Sequence, residues 1–261
     1  CVVASGAPRV GWCSFRYGKL PSVNTPSLSV ILPTYNEAEN IGRLIDAVQA
    51  NVPSGWDYQI LVVDDNSPDD TFGKVSRAYG DNPRIVPILR TVDRGFAKSI
   101  RTGIEQAAGE RIIIMDSDLT HDPVEIPRLL HVGEIYDFVS GSRFCAGGRM
   151  VDTSHYLLSM AYNWLLRLLI RTQVQDNLGG YFTARRDMLL QLPLDEIFFG
   201  YGDYYFRLLH FVQKSGFSIV EVPAAYLLRS EGKSKSNWTR MLITYTVGAI
   251  RLKRRIRQLE L

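Results

Sequence analysis

Short apolar runs alternate with stretches of helical periodicity along most of the 261-residue chain. Leu28 to Leu32 predicts a first strand, stopped by Pro33. A helix over 37–50 follows, with Ile41, Leu44, Ile45 and Val48 on one face. Ile60 to Val63 predicts a second strand, ending in Asp64-Asp65. Beyond it, Ser67-Pro68-Asp69 resembles a helix start with Ser67 as N-cap. Strands are expected at 84–89, 111–115, 138–140 and 218–222, and helices at 96–108, 123–131, 154–170 and 203–214. The run Ile112-Ile113-Ile114 is apolar at successive positions, as in a parallel strand buried on both faces. The pattern is that of an α/β protein with a mostly parallel central sheet flanked by helices. Its first half looks like a nucleotide-binding half-sheet and its second like an acceptor-side half.

Composition is that of an ordinary folded chain, 46% hydrophobic and 22% charged. A net charge of +3 gives no reason to expect nucleic acid as a partner. Cys1, Cys13 and Cys145 lack metal-ligand spacing, and the four histidines form no cluster, which points to a reducing compartment and away from zinc. No stretch reaches the roughly 20 apolar residues of a membrane span. Residues 1–27, rich in Gly, Pro and Ser, are expected to be an extension without a signal-peptide pattern.

Three strand ends carry polar or acidic residues: Pro33-Thr34-Tyr35-Asn36-Glu37, Asp64-Asp65-Asn66-Ser67 and Asp116-Ser117-Asp118. Open α/β sheets hold ligands at the carboxyl ends of their strands, so these ends are expected to converge on one rim. The pair Asp116 and Asp118 places two negative charges together, which is costly unless a cation neutralises them. A hard divalent ion bridging protein oxygens to a phosphorylated substrate fits. The simpler alternative is that one Asp caps the next helix and the other is solvated. Neither a G-x-G-x-x-G fingerprint nor a G-x-x-x-x-G-K-[ST] loop is present.

Taken in order, Val30-Ile31-Leu32-Pro33-Thr34-Tyr35-Asn36-Glu37, Val62-Val63-Asp64-Asp65-Asn66-Ser67-Pro68-Asp69 and Ile114-Met115-Asp116-Ser117-Asp118-Leu119 resemble the inverting family 2 glycosyltransferases of the GT-A fold. Within these they are most similar to the dolichol-phosphate mannose synthases and other polyprenyl-phosphate glycosyltransferases. Ser140-Gly141-Ser142-Arg143-Phe144, Gly147-Gly148, Glu221-Val222-Pro223 and Arg229-Ser230-Glu231-Gly232-Lys233-Ser234-Lys235 extend the likeness over roughly residues 28 to 236. Thr120 stands where that family often has Gln, and Lys233 where it usually has Glu.

The resemblance implies a nucleotide-sugar donor lying across Pro33, Tyr35, Glu37, Asp64, Asp65, Arg94, Gly95 and Arg143, with Asp116 and Asp118 holding Mg²⁺ or Mn²⁺ against the diphosphate. Arg94 and Arg143 suit phosphate through the guanidinium fork; a surface ion pair is the alternative for each. GDP-mannose and UDP-glucose both fit. The implied acceptor is a dolichyl or polyprenyl phosphate, held by Arg229, Lys233, Ser234 and Lys235. A phosphate nucleophile is already ionised near neutral pH, whereas a sugar hydroxyl would need a base. Asp203 lies where other members keep a catalytic carboxylate, so it is expected either as that base or as a cap of helix 203–214. A non-catalytic nucleotide-binding module on the same fold is the remaining alternative.

The expected division is an extension over 1–27, a GT-A domain over 28–236 and a basic amphipathic helix over 237–261. In that tail, apolar residues 241–250 precede five positive charges between Arg251 and Arg257. Such a helix suits either an anionic membrane surface or packing on the domain, and the same holds for the helix near 156–170. The expected location is cytoplasmic, peripheral at the cytosolic face of a membrane.

Overall fold

The computed structural model describes residues 27–151, 153–228 and 238–259. Residues 229–237, and with them Arg229, Lys233, Ser234 and Lys235, lie outside the described residues, as does the extension before residue 27. The expected limit at 236–237 therefore falls where nothing is described.

Four apolar runs become parallel neighbours: β1 (Leu28–Thr34) pairs with β2 (Tyr58–Asp64) on one side and β4 (Arg111–Ile114) on the other, and β2 pairs with β3 (Ile85–Leu89). Their connections are the helices α1 (Ile41–Asn51), α2 (Thr71–Tyr79) and α3 (Phe96–Gln106). Chain order continues with α4 (Ile126–Gly133), β5 (Phe138–Ser142), β6 (Arg149–Met150), α5 (Thr153–Ile170), β7 (Phe182–Arg185), α6 (Arg186–Leu190) and α7 (Leu194–Ile197). It ends with α8 (Tyr204–Lys214), β8 (Ile219–Pro223), β9 (Ala225–Tyr226) and α9 (Trp238–Leu259). Seven strands form one sheet in the order β3-β2-β1-β4-β7-β5-β8, and β6 pairs with β9 beside it. All ladders of the large sheet are parallel except those of β7, which runs antiparallel to β4 and β5.

The two-residue period of the strands sends alternate side chains to opposite faces. Ile31, Leu61, Val63, Ile112 and Ile114 pack with α3 and α8 on one face. Val30, Leu32, Ile60, Val62 and Ile113 pack with α1 and α4 on the other. A third, smaller cluster joins Leu166 and Ile170 of α5 to Tyr245, Ala249 and Leu252 of α9 over Phe206. Helix α3 crosses β1 closely at Gly103, where a Cβ would lie 2.3 Å from Ile31 Cγ2. Gly103→Ala is expected to cost about 1–3 kcal/mol through overpacking, read as a lower urea midpoint.

Three local expectations are corrected. Pro33 does not stop β1, which continues to Thr34. Ile31 and Pro33 turn their backbone groups towards β4, and the β4 ladder has already ended at Ile114. The missing N–H therefore costs no ladder bond, and Ser117 Oγ donates to the Pro33 carbonyl at 2.9 Å. The first helix begins at Ile41 rather than 37. The second begins at Thr71, because the Ser67 hydroxyl is committed elsewhere: it donates to Asp64 at 2.6 Å. Asp69 takes over part of the capping by accepting from the Thr71 N–H at 3.1 Å.

Candidate active site

The carboxyl ends of β1, β2 and β4 open into a cleft of about 1340 Å³. Of the residues expected at the site, Pro33, Tyr35, Glu37, Asp65, Arg94, Gly95, Asp116, Asp118 and Arg143 line it. The Gly179-Gly180 turn ahead of β7 and the inner faces of α5 and α9 also contribute to its wall.

Asp116 and Asp118 leave the end of β4 on a loop held from below. The Asp116 N–H donates to His121 Nδ1 at 2.8 Å, and Leu119 takes a left-handed backbone with φ 64°. The Thr120 N–H and hydroxyl both donate to Asp118 Oδ1, at 3.1 and 2.6 Å. Thr120 thus orients Asp118. The Asp116 side chain remains 35% exposed, while Asp118 is buried against the cleft. His121 is fully buried, stacked on Tyr181 at 4.8 Å and edge-on to Tyr226 at 4.7 Å. Burial lowers its pKa to about 4, with Asp118 opposing and Arg143 assisting, so the ring is neutral and accepts at Nδ1.

The second rim acid, Asp65, is nearly buried and paired with Arg90 at the end of β3. Its other oxygen accepts from the Gly95 N–H at 2.7 Å. Gly95 begins α3 at φ 149°, a conformation that favours glycine. Asp65 therefore fixes the N-terminus of α3 at the cleft, where backbone N–H groups can meet an anion. Tyr35 is 42% exposed, and the Arg94 guanidinium lies 5.4 Å from its ring centre, so these two form an open aromatic and cationic edge.

Arg143 follows β5 and is almost wholly buried. Its Nε and Nη2 donate to the two oxygens of Asp176 at 2.8 Å each, and its own N–H donates to Asp176 at 3.1 Å. Burial works against the charged guanidinium, but Asp176 outweighs it and raises the pKa above the ordinary value. The loop presenting Asp176 is itself anchored, because Glu221 accepts from the Gln175 and Asp176 N–H groups at 2.8 and 3.0 Å. Arg143 thus presents a fixed positive charge to the cleft, one face being committed to its carboxylate.

Two expected residues have other tasks. Asp64 is fully buried; its carboxylate accepts from the Ser67 N–H and hydroxyl, tying the end of β2 to the next turn, and it does not line the cleft. Asp203 occupies the N-cap position of α8, but its side chain makes no capping bond to the helix. It forms a buried ion pair with Arg207, four residues on, and accepts from the Tyr201 N–H at 2.9 Å. Arg207 donates further to the Ile197 and Phe199 carbonyls. The pair lies beneath α9, where a Cβ on Gly248 would be 3.6 Å from Asp203 Oδ2.

Sequence reasoning assigned no site role to Arg90, His121, Asp176 or Glu221, although Glu221 stands in one of the motifs that carry the resemblance. A signal existed for Arg90, which ends the strand expected beside Asp65, and for Asp203 and Arg207, whose i, i+4 spacing is that of a helical ion pair. Asp176 and Glu221 reach the site only through long-range contacts.

An oxygen-only donor pair of this kind suits a hard divalent cation. Mg²⁺ characteristically takes one or two carboxylates from the protein and completes its shell with phosphate and water. Among the described residues no set of three or more His, Cys, Asp or Glu is grouped to hold a metal by itself.

Residues 29–192 match glycosyl transferase family 2. Dolichol-phosphate mannosyltransferase of Pyrococcus furiosus is 32% identical over 214 residues, which are 80% of this chain and 58% of that protein; the chain thus spans little more than half of that relative. Undecaprenyl-phosphate mannosyltransferase of Micrococcus luteus is 35% identical over 219 residues, 78% of this chain and 85% of that one. In fold, glucosyl-3-phosphoglycerate synthase from Mycobacterium tuberculosis, crystallised with Mn²⁺, uridine diphosphate and phosphoglyceric acid, superimposes with a TM-score of 0.64 at 21% identity, covering 86% of this chain and 78% of that one. A family match over more than half of the chain, a relative covered over most of its length and a GT-A-like sheet agree: the chain belongs to glycosyltransferase family 2.

Proposed function

We propose that this chain transfers a mannosyl group, with inversion and with the help of a divalent metal, from GDP-mannose to a polyprenyl or dolichyl phosphate at the cytosolic face of a membrane. The named activities of the mannosyltransferase relatives support the sugar and the acceptor class. The observation that carries the reading is the state of Asp203. Its carboxylate is buried in an ion pair with Arg207, and Asp203, unlike its neighbours Gly202 and Tyr204, does not line the cleft. A hydroxyl acceptor would need a base to take its proton, and the residue expected for that task is engaged. A phosphate acceptor needs none.

In this reading Pro33, Tyr35, Glu37, Asp65 and Arg94 bind the nucleotide, and Asp116 and Asp118 hold Mg²⁺ or Mn²⁺. That ion, when bound, offsets the charge gathering on the departing diphosphate. An acceptor phosphate oxygen attacks the anomeric carbon from the face opposite the diphosphate. The new C–O bond forms as the old one breaks, and its electron pair leaves with GDP. Arg143, held charged by Asp176, faces the phosphates from the cleft wall. Arg229, Lys233, Ser234 and Lys235 supply the charge and donors that bring two anions together.

The test is a transfer panel of GDP- and UDP-linked mannose and glucose with polyprenyl phosphate and Mn²⁺. Mannosyl-phosphoryl-polyprenol formed from GDP-mannose is the expected product. Transfer only to a free sugar hydroxyl would refute the acceptor; a preference for UDP-glucose would refute the donor.

A further inference from the structure

Two neighbouring tyrosines at the start of α8 line the cleft and differ in how their hydroxyls are satisfied. The Tyr205 hydroxyl lies 2.7 Å from Ser140 Oγ, so the two share a buried hydrogen bond. Tyr204 is only 2% exposed, yet none of the described residues hydrogen-bonds to its hydroxyl. Its ring is held from behind: Phe198 stacks on it at 5.6 Å and Phe96 meets it edge-on at 6.0 Å. Its front opens on the cleft, beside Asp116 and Gly180. A Cβ on Gly180 would lie 3.3 Å from the hydroxyl oxygen, so the glycine keeps that approach clear. Burial first, and then the Asp116 carboxylate, hold the phenol well above the usual tyrosine range, so it stays protonated and donates. A buried donor without a partner is costly, and a substrate oxygen entering the cleft would complete it.

We propose that the Tyr204 hydroxyl donates a hydrogen bond to a hydroxyl of the transferred hexose and so helps to select the donor sugar. This deepens the proposed function and rests on its placing of a nucleotide sugar in this cleft. The nucleotide has an edge of its own, the exposed Tyr35 ring and Arg94. The diphosphate calls for positive charge, which the start of α3, Arg143 and an ion on Asp116 and Asp118 would supply; a neutral phenol adds little there. A hexose presents what this wall complements: C–H faces that pack on aromatic rings, and hydroxyls that accept single hydrogen bonds. Phe96, Tyr201, Tyr204 and Tyr205 make this part of the cleft aromatic. The hydroxyl also lies near Asp116, and the hexose is the group bonded directly to the diphosphate. A pocket that hydrogen-bonds a substrate hydroxyl rejects an analogue without it, because its own donor is then left bare.

The test is Tyr204→Phe in the whole chain, read by calorimetry with Mn²⁺ and without polyprenyl phosphate, so that donor recognition is separated from transfer. Affinity for GDP, which carries no sugar, should match the wild type, whereas affinity for GDP-mannose should fall about tenfold. Among monodeoxy analogues of GDP-mannose, one should bind the wild type about tenfold more weakly than GDP-mannose does, and Tyr204→Phe should no longer tell the two apart. A purely structural role would move GDP and GDP-mannose together. Removing an unpartnered hydroxyl should leave the urea midpoint at or above that of the wild type; Tyr205→Phe, which deprives Ser140 of its partner, should lower it. Equal affinity of wild type and variant for GDP-mannose would overturn the proposal. So would an equal loss for GDP and GDP-mannose, or a defect confined to the KM for polyprenyl phosphate. Should the wild type bind UDP-glucose in place of GDP-mannose, the donor in the proposed function falls, and the same comparison with UDP and UDP-glucose decides the role of Tyr204. Failure of transfer to polyprenyl phosphate, with the binding results intact, would strike the acceptor and leave Tyr204 standing.

Discussion

Asp118→Ala is expected to lower transfer by on the order of 10²–10³-fold, the size of effect seen when a preorganised stabiliser of developing charge is removed. Asp118 sits against the cleft, oriented by two donations from Thr120. Its position is fixed before any ligand arrives, so its contribution carries no ordering cost at the moment of reaction. The same substitution should abolish the Mn²⁺ dependence of GDP binding, measured by titration calorimetry with and without the metal. Folding should persist, because the loop lies beyond the end of β4 rather than in the packed sheet. Metal-dependent GDP binding equal to the wild type would refute the metal assignment. Thr120→Val should give a milder defect in the same direction, since it removes the hydroxyl donor and leaves the carboxylate in place.

Asp203→Ala is expected to act on stability rather than turnover. It leaves the Arg207 guanidinium buried without its counter-charge, a situation that typically costs about 3–5 kcal/mol. The Ile197 and Phe199 carbonyls still accept from Arg207, which favours the lower end. Denaturant melts should show the loss, and a second substitution, Arg207→Met, should recover part of it because the two sites are coupled. Turnover per folded molecule with polyprenyl phosphate should change only severalfold. Were Asp203 the general base, the drop would be about 10²–10⁴-fold with little change in stability.

The strands from 28 to 115 were legible because each is an apolar run bounded by polar residues, and a parallel strand buried on both faces tolerates little else. Their acidic ends were legible for the same reason: the chain turns polar where it leaves the sheet. Strand β7 was not. Phe182-Thr183-Ala184-Arg185 begins just after a Gly-Gly pair and is only four residues long, too short for its apolar–polar alternation to mark it. It is a strand because β4 and β5 leave a slot between them. Helix α5 was visible from its apolar content, but content does not say which face is covered. Asn163, inside a strongly apolar stretch, turns inward to Asn177, and Leu157, Trp164 and Leu168 remain outside.

Adjacent acids show the same division. Asp64 and Asp65 are chemically alike and neighbours in sequence, and one ties a turn while the other lines the cleft. Successive residues at a strand end point in different directions, and the partners that engage them, Ser67 and Arg90, come from separate segments. By itself the sequence determined the sheet's parallel half, the rim where its acids gather and the family those motifs resemble, because these follow from local periodicity and short-range order. Only the tertiary structure decided which carboxylates are engaged: Asp176 with Arg143, Asp203 with Arg207, Asp65 with Arg90. An ion pair depends on distance and burial, and neither is a property of spacing along the chain.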